Sequence, residues 1–163
     1  MWFELAKLAV PMLYVTLSGV IVLAIWKGGR AERQGAILYL VLWLAASMVP
    51  SRAGSISFVN IFLAADGLAA FGFLWLAIRF SNLWLAGAMI AQGIAFGAHA
   101  FRLEEDLGTP RWMGVNVYLL VMNLMSGLVL TLILCGTIST WKKTARSRKA
   151  ARAKLAAGTP LPA

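Results

Sequence analysis

Apolar positions in this chain fall in long runs, and its polar residues gather in short breaks between them. Three runs carry no formal charge over a full bilayer span or more: Leu8 to Trp26, Phe80 to Phe101 and Trp112 to Trp141. A helix crossing a hydrocarbon core of roughly 30 Å needs about 20 apolar residues. Lipid cannot satisfy free backbone N–H and C=O groups, so such runs are expected as helices rather than strands. Two further runs are shorter or interrupted. Gln34 to Ser51 is charge-free and closes on Val49-Pro50-Ser51-Arg52-Ala53-Gly54-Ser55, a cluster of turn formers. Phe58 to Ile78 holds one carboxylate, Asp66, near its centre. Fusing these two runs would put Pro50 and Gly54 inside a helix of more than about forty residues, twice what a bilayer requires. The pattern predicts an all-α fold: a bundle of five transmembrane helices over residues 1–141, then a basic tail over 142–163.

Composition agrees. The chain is 61% hydrophobic and 13% charged, outside the range of soluble globular domains, and no polar stretch is long enough to form one. The single cysteine, Cys135, excludes an internal disulfide, a CxxC redox pair and a cysteine zinc site. Within an apolar helix it reads as a small side chain facing lipid or protein.

Charge sets the expected threading. Five spans put the termini on opposite sides. One side then collects Lys27, Arg30, Arg33 and Arg79 together with the tail residues Lys142, Lys143, Arg146, Arg148, Lys149, Arg152 and Lys154. The other holds Lys7, Arg52, Arg102 and Arg111, offset by Glu104, Glu105 and Asp106. Lys and Arg accumulate on the cytoplasmic face, so the N-terminus is expected outside and the C-terminus inside a bacterial inner membrane. Trp26, Trp75, Trp84 and Trp141 fall near the inner boundary of this threading and Trp2 and Trp112 near the outer one, while Trp43 lies deeper and is expected to pack. Met1-Trp2-Phe3-Glu4 lacks the basic start of a signal peptide, so the first span is expected to stay.

The net charge of +9 comes mostly from the tail. Its helix formers predict that the last helix continues beyond the bilayer and frays before Gly158-Thr159-Pro160. Each basic group near an anionic leaflet contributes about 1 kcal/mol of attraction, so the tail is expected to anchor the chain to the anionic cytoplasmic leaflet. No aromatic stacking platform or nucleic-acid module accompanies the charge, and no nucleic-acid partner is expected.

Polar residues inside the spans are the best functional lead. At 1.5 Å per residue, Asp66, Gln92 and Asn123 reach similar depths near the middle, with Tyr14 and Thr16 level with them. Asn60, His99 and Asn116 lie nearer the outer surface. Gln92 and His99 are seven apart, as are Asn116 and Asn123, so each pair shares a helix face. These residues predict a polar seam in the third, fourth and fifth helices, opening outward below the acidic loop. Such side chains are also common interhelical glue, worth on the order of 0.6 kcal/mol each. Asp66 is harder to explain that way. A carboxylate at the bilayer centre costs about 2.5–3.5 kcal/mol on insertion scales, so it must be neutral, partnered or facing water. It either handles protons or cations, or is a protonated structural group bonded to Gln92 or Asn123. Gly93 and Gly97 form a GxxxG pair, with Ala86 and Ala100 extending a small-residue strip suited to close helix packing.

Other chemistry finds little support. His99 is the only histidine; with Glu104, Glu105 and Asp106 it could contribute to an outward metal site, but zinc and copper sites usually carry more imidazole or thiolate. Met89 and Met122 are available as second haem ligands, though nothing singles them out. No cofactor is expected. No HExxH, P-loop or histidine-rich hydroxylase box occurs. Asp66-Gly67-Leu68-Ala69-Ala70 shares the opening of the CDP-alcohol phosphotransferase motif but lacks its Arg and later aspartates. Glu104-Glu105 resembles the diacid of intramembrane CAAX-type proteases without that family's Arg and histidines.

The loop Trp26-Lys27-Gly28-Gly29-Arg30-Ala31-Glu32-Arg33, then Asp66, then Ile78-Arg79-Phe80-Ser81-Asn82-Leu83-Trp84 with Gln92 and His99, resembles small polytopic inner-membrane proteins of alphaproteobacteria. The likeness extends to about residue 100 and implies a location, with no activity attached. The sequence is therefore expected to encode a non-enzymatic accessory or assembly subunit of a larger inner-membrane complex, with other membrane subunits or a second copy meeting the Gly93/Gly97 face. The alternative is a small transporter or channel that handles protons or cations through Asp66. Five helices make a thin pore wall and no inverted repeat is visible, which favours the first.

Overall fold

A computed structural model describes residues 2–48, 58–106 and 115–156, with side chains described for 15–48, 59–104 and 117–153. It is all-helical: α1 (Trp2–Lys27), α2 (Arg30–Met48), α3 (Phe58–Phe80), α4 (Leu83–Asp106) and α5 (Val115–Ala156). The turn cluster around Pro50 and Gly54 lies outside the described residues, as does the segment after Asp106. Among the described residues, Val59–Phe80, Leu83–Glu104 and Val117–Ala153 are long and apolar enough to cross a membrane. Only 17% of the apolar window is buried inside the bundle for α3, and the same share for α5. Phe71, Trp75 and Ile78 of α3 and Leu120 and Leu124 of α5 point outward. Soluble monomers rarely expose apolar patches beyond a few hundred Å², and an exterior of this kind is consistent with a lipid solvent.

α2 differs. It starts at Arg30 rather than at Gln34, so Arg30, Glu32 and Arg33 occupy its first turn and shorten its apolar part. Each helix packs on the next in the chain, α1 packs on α5 to close a ring, and α2 also meets α5 across it.

Two tight connections hold one end of that ring. Gly28 N–H donates to the Ala24 carbonyl at 2.9 Å, ending α1. Glu32 then reaches back to accept the Gly29 N–H at 2.9 Å, the carboxylate half of a capping box. Its other oxygen accepts the Thr140 hydroxyl of α5 at 3.0 Å. Glu32 is 3% exposed, and a carboxylate buried this deeply persists because both oxygens are satisfied. The second connection is Ser81-Asn82. Ser81 takes the left-handed conformation (φ 50°), and its N–H donates to the Ala77 carbonyl at 2.8 Å to close α3. The Asn82 carbonyl accepts Leu85 N–H at 3.1 Å and opens α4.

The core fills the half of the bundle nearest these two turns. Leu17, Ile21 and Ala24 of α1 meet Ala31 and Ala36 of α2, Phe73 and Leu76 of α3, Leu85 and Ala88 of α4, and Val129 and Ile133 of α5. The alanines keep the axes close. Trp84 is wedged among them: a Cβ on Gly35 or on Gly136 would come within 2.8 Å of its indole. Trp84 sits at the start of α4, beside the Ser81-Asn82 turn. It is half-buried, with Nε1 buried and unpartnered among the described residues. Trp26, Trp75 and Trp141 are exposed, and Lys27 Nζ sits 3.9 Å over the Trp26 ring. Cys135 is exposed on the outside of α5. α5 runs unbroken through Ala156, so Lys142 to Arg152 form an exposed continuation of the last helix, as its helix formers predict.

Candidate functional site

In the other half of the bundle the packing opens. The antiparallel pairing of α3 with α4 sets Asp66 level with His99, and the residues face each other. His99 Nε2 lies 3.1 Å from Asp66 Oδ2. From α5, the Tyr118 hydroxyl lies 2.7 Å from His99 Nδ1, so a carboxylate, an imidazole and a phenol form one hydrogen-bonded chain across three helices. Phe62 stacks on the imidazole at 6.0 Å, and the Tyr118 ring meets it edge-on at 5.5 Å. His99 is 3% exposed; Asp66 is about one-fifth exposed at its side chain.

The chain tolerates a change of proton. A neutral imidazole protonated on Nε2 donates to the Asp66 carboxylate while Nδ1 accepts the Tyr118 O–H. A doubly protonated imidazolium donates from both nitrogens, and the Tyr118 oxygen becomes the acceptor. Neither state strands a buried polar atom of the ring, so a proton can enter or leave without breaking the chain.

Asp66, His99 and Tyr118 line a cavity of about 360 Å³ between α2, α3, α4 and α5. Its wall is mostly apolar, and four of its side chains are aromatic: Tyr39, Trp43, Phe62 and Tyr118. Gln92 lines it too and is 4% exposed. Tyr39 of α2 and Ser126 of α5 line it as well. The volume falls within the usual range of small-molecule sites.

Of the residues expected in a polar seam, Asp66, Gln92 and His99 come together. Asp66 pairs with His99, not with Gln92 or Asn123. Asn123 is exposed on α5, about one 100° helical step from Met122, which does face the cavity. Asn60 sits beside the cavity without lining it, and its Oδ1 is buried with no hydrogen-bond partner among the described residues. The side chains of Asn116 and Tyr14 lie outside the described residues, and Thr16 is exposed. Sequence reasoning missed Tyr118, Tyr39 and Ser126; the usable signal was a tyrosine at the same predicted depth as His99. Of the residues named for an outward metal site, Glu104 is exposed and the side chains of Glu105 and Asp106 lie outside the described residues; among the described residues no group of three or more His, Cys, Asp or Glu gathers. Met89 packs on the core and Met122 lines the cavity.

Gly93 and Gly97 of the small-residue strip face away from the bundle, while Ala86 and Ala100 are half-buried. A Cβ on Gly93 or Gly97 would meet nothing within 4 Å.

No known protein family, curated protein or solved structure matches this chain. The chemistry of the cavity itself carries the functional reading.

Proposed function

We propose that this chain is a small bacterial inner-membrane transporter with five spans, N-terminus out and C-terminus in, handling protons or small cations at Asp66. The observation that carries this reading is the Asp66–His99–Tyr118 chain on the wall of a cavity of about 360 Å³ inside an apolar bundle. Ionisable groups at membrane depth are costly and mark ion pathways and proton relays. Aromatic walls around one carboxylate favour cations over anions, because ring faces attract positive charge. The threading is supported by Lys27, Arg33, Arg79 and the basic extension of α5 all lying at the end that carries the tight turns. The proposed role is non-enzymatic. Phe73, Leu85, Val129 and Ile133 are fully buried and close the bundle between the cavity and the tight turns, the end that the proposed threading makes cytoplasmic. The site is thus loaded from the outer half, and transport requires the core half to part.

The test is flux. The purified chain in liposomes carrying an internal pH dye should dissipate an imposed proton gradient, and Asp66→Asn should abolish that flux while the protein stays folded. Wild-type liposomes indistinguishable from empty ones would overturn the proposal.

A second reading, an accessory or assembly subunit, is favoured by the outward Gly93/Gly97 strip. A lipid-facing small-residue groove leaves room for another helix. Native mass spectrometry from the source membrane should then give a reproducible heteromeric or homo-oligomeric mass that Gly93→Leu disrupts. A monomer from both forms would remove this reading.

A further inference from the structure

A second concave site lies at the opposite end from the cavity, where the apolar stretches of α1 and α5 end. Trp26, Lys27, Gly28, Gly29, Arg33, Thr140, Trp141, Thr144 and Arg148 surround a cleft of about 360 Å³. Its cations come from three elements: Lys27 ends α1, Arg33 lies in the first turns of α2, and Arg148 lies on the α5 extension.

The neighbouring polar atoms are already committed. Gly28 N–H bonds Ala24, and Gly29 N–H bonds Glu32. Thr140 donates to Glu32, and Thr144 donates to the Thr140 carbonyl. Glu32, the acidic group at this corner, has its two oxygens occupied by those donors and is buried behind the loop. The cleft therefore offers a ligand cationic donors and little else. Two of them are held in place. Arg33 Nε donates to the Gly28 carbonyl at 3.1 Å, which fixes the guanidinium plane and keeps its terminal nitrogens for another acceptor. Lys27 Nζ lies 3.9 Å from the Trp26 ring centre and 5.8 Å from that of Trp141. A basic groove along Arg148, Lys149 and Arg152 continues from the cleft past Trp141.

We infer that this cleft is a binding site for a phosphate group. Three convergent cations suit an oxyanion that accepts several charge-assisted hydrogen bonds, and a guanidinium pairs with phosphate in bidentate fashion. Exposed Trp26 and Trp141 place the cleft at the headgroup level, where the phosphodiester of an anionic lipid lies. A soluble phosphate can supply the same chemistry from the cytoplasm. The site is independent of the cavity around Asp66.

The test uses the full chain, delipidated in mild detergent and titrated separately with phosphatidylglycerol and with inorganic phosphate, reading the shift in thermal unfolding. The double variant Lys27→Gln/Arg148→Gln removes two cleft cations. Lys142→Gln/Lys143→Gln removes the same charge from the side of α5 away from the cleft and serves as the control. We expect the cleft variant to weaken binding at least about tenfold and the control to stay within about twofold of wild type. Saturable binding of phosphatidylglycerol alone identifies a lipid headgroup site, and saturable binding of inorganic phosphate identifies a soluble one. Equal weakening by both variants would reduce the cleft to diffuse tail charge, and no saturable binding of either probe would also overturn the inference. Should the double variant fail to fold, Arg148→Gln alone decides, because that residue is exposed on the α5 extension.

Discussion

Asp66 shows how an ionisable group is kept at depth in an apolar bundle. Its partner is an imidazole 3.1 Å away, itself held by a phenol at 2.7 Å, so loss of Tyr118 takes the hydrogen-bond partner from Nδ1 of the buried His99. Tyr118→Phe should therefore cost about 1–3 kcal/mol in unfolding free energy, the penalty for stranding a buried acceptor. It should also move the ¹⁵N resonances of His99, read by NMR on the single labelled histidine. Unchanged resonances would mean that the phenol does not set the tautomer. Ser81 is strained in a simpler way. An L-residue in the left-handed region costs roughly 1–2 kcal/mol that glycine does not, so Ser81→Gly should raise the thermal unfolding midpoint in detergent. A lowered midpoint would mean that the serine side chain matters more than its backbone.

At the scale of elements, the closed end of the bundle rests on Glu32 and on the Trp84 wedge. Glu32 both caps α2 and ties it to α5, so Glu32→Ala should destabilise by about 2 kcal/mol or more, as expected for a lost cap plus a stranded hydroxyl. Glu32→Gln keeps an acceptor and should cost less; equal losses would argue against the hydrogen-bonding account. Gly136 matters only as space for Trp84. A methyl group there would meet the indole at 2.8 Å, so Gly136→Ala should cost about 1–3 kcal/mol through overpacking. Combining it with Trp84→Phe should recover part of that loss. The helices themselves were readable from apolar run length and turn residues, because lipid forces every span to satisfy its own backbone. α2 began earlier than expected because Arg30 and Arg33 looked like loop residues, while Glu32 was in fact acting as a cap.

For the whole molecule, the proposed threading makes a direct prediction. A reporter fused after Ala163 should be active only on the cytoplasmic side, and activity restricted to the outside would reverse the orientation. The bundle divides into a packed half and a hollow half, and its chemistry follows that division. Depth along each span could be counted from the chain, since every helical residue advances by a fixed 1.5 Å. That was enough to pick out the basic end, but it set Asp66 level with Gln92 and put His99 nearer the outer surface, whereas the pairing of α3 with α4 brings His99 Nε2 to 3.1 Å from Asp66. Rotation about each axis could not be counted. A helix that is apolar all round gives no periodic signal for the face it turns inward, so Asn123 was expected in the seam and Tyr118 was passed over. Only tertiary packing turned Tyr118 in and Asn123 out, brought Arg148 beside Lys27 across more than a hundred residues of chain, and aimed Gly93 and Gly97 away from the bundle. The sequence by itself determined that the chain is helical and that three of its helices are long and apolar enough to cross a membrane. Tertiary contact alone decided which side chains at each level meet, because in lipid the hydrophobic effect no longer sorts inside from outside.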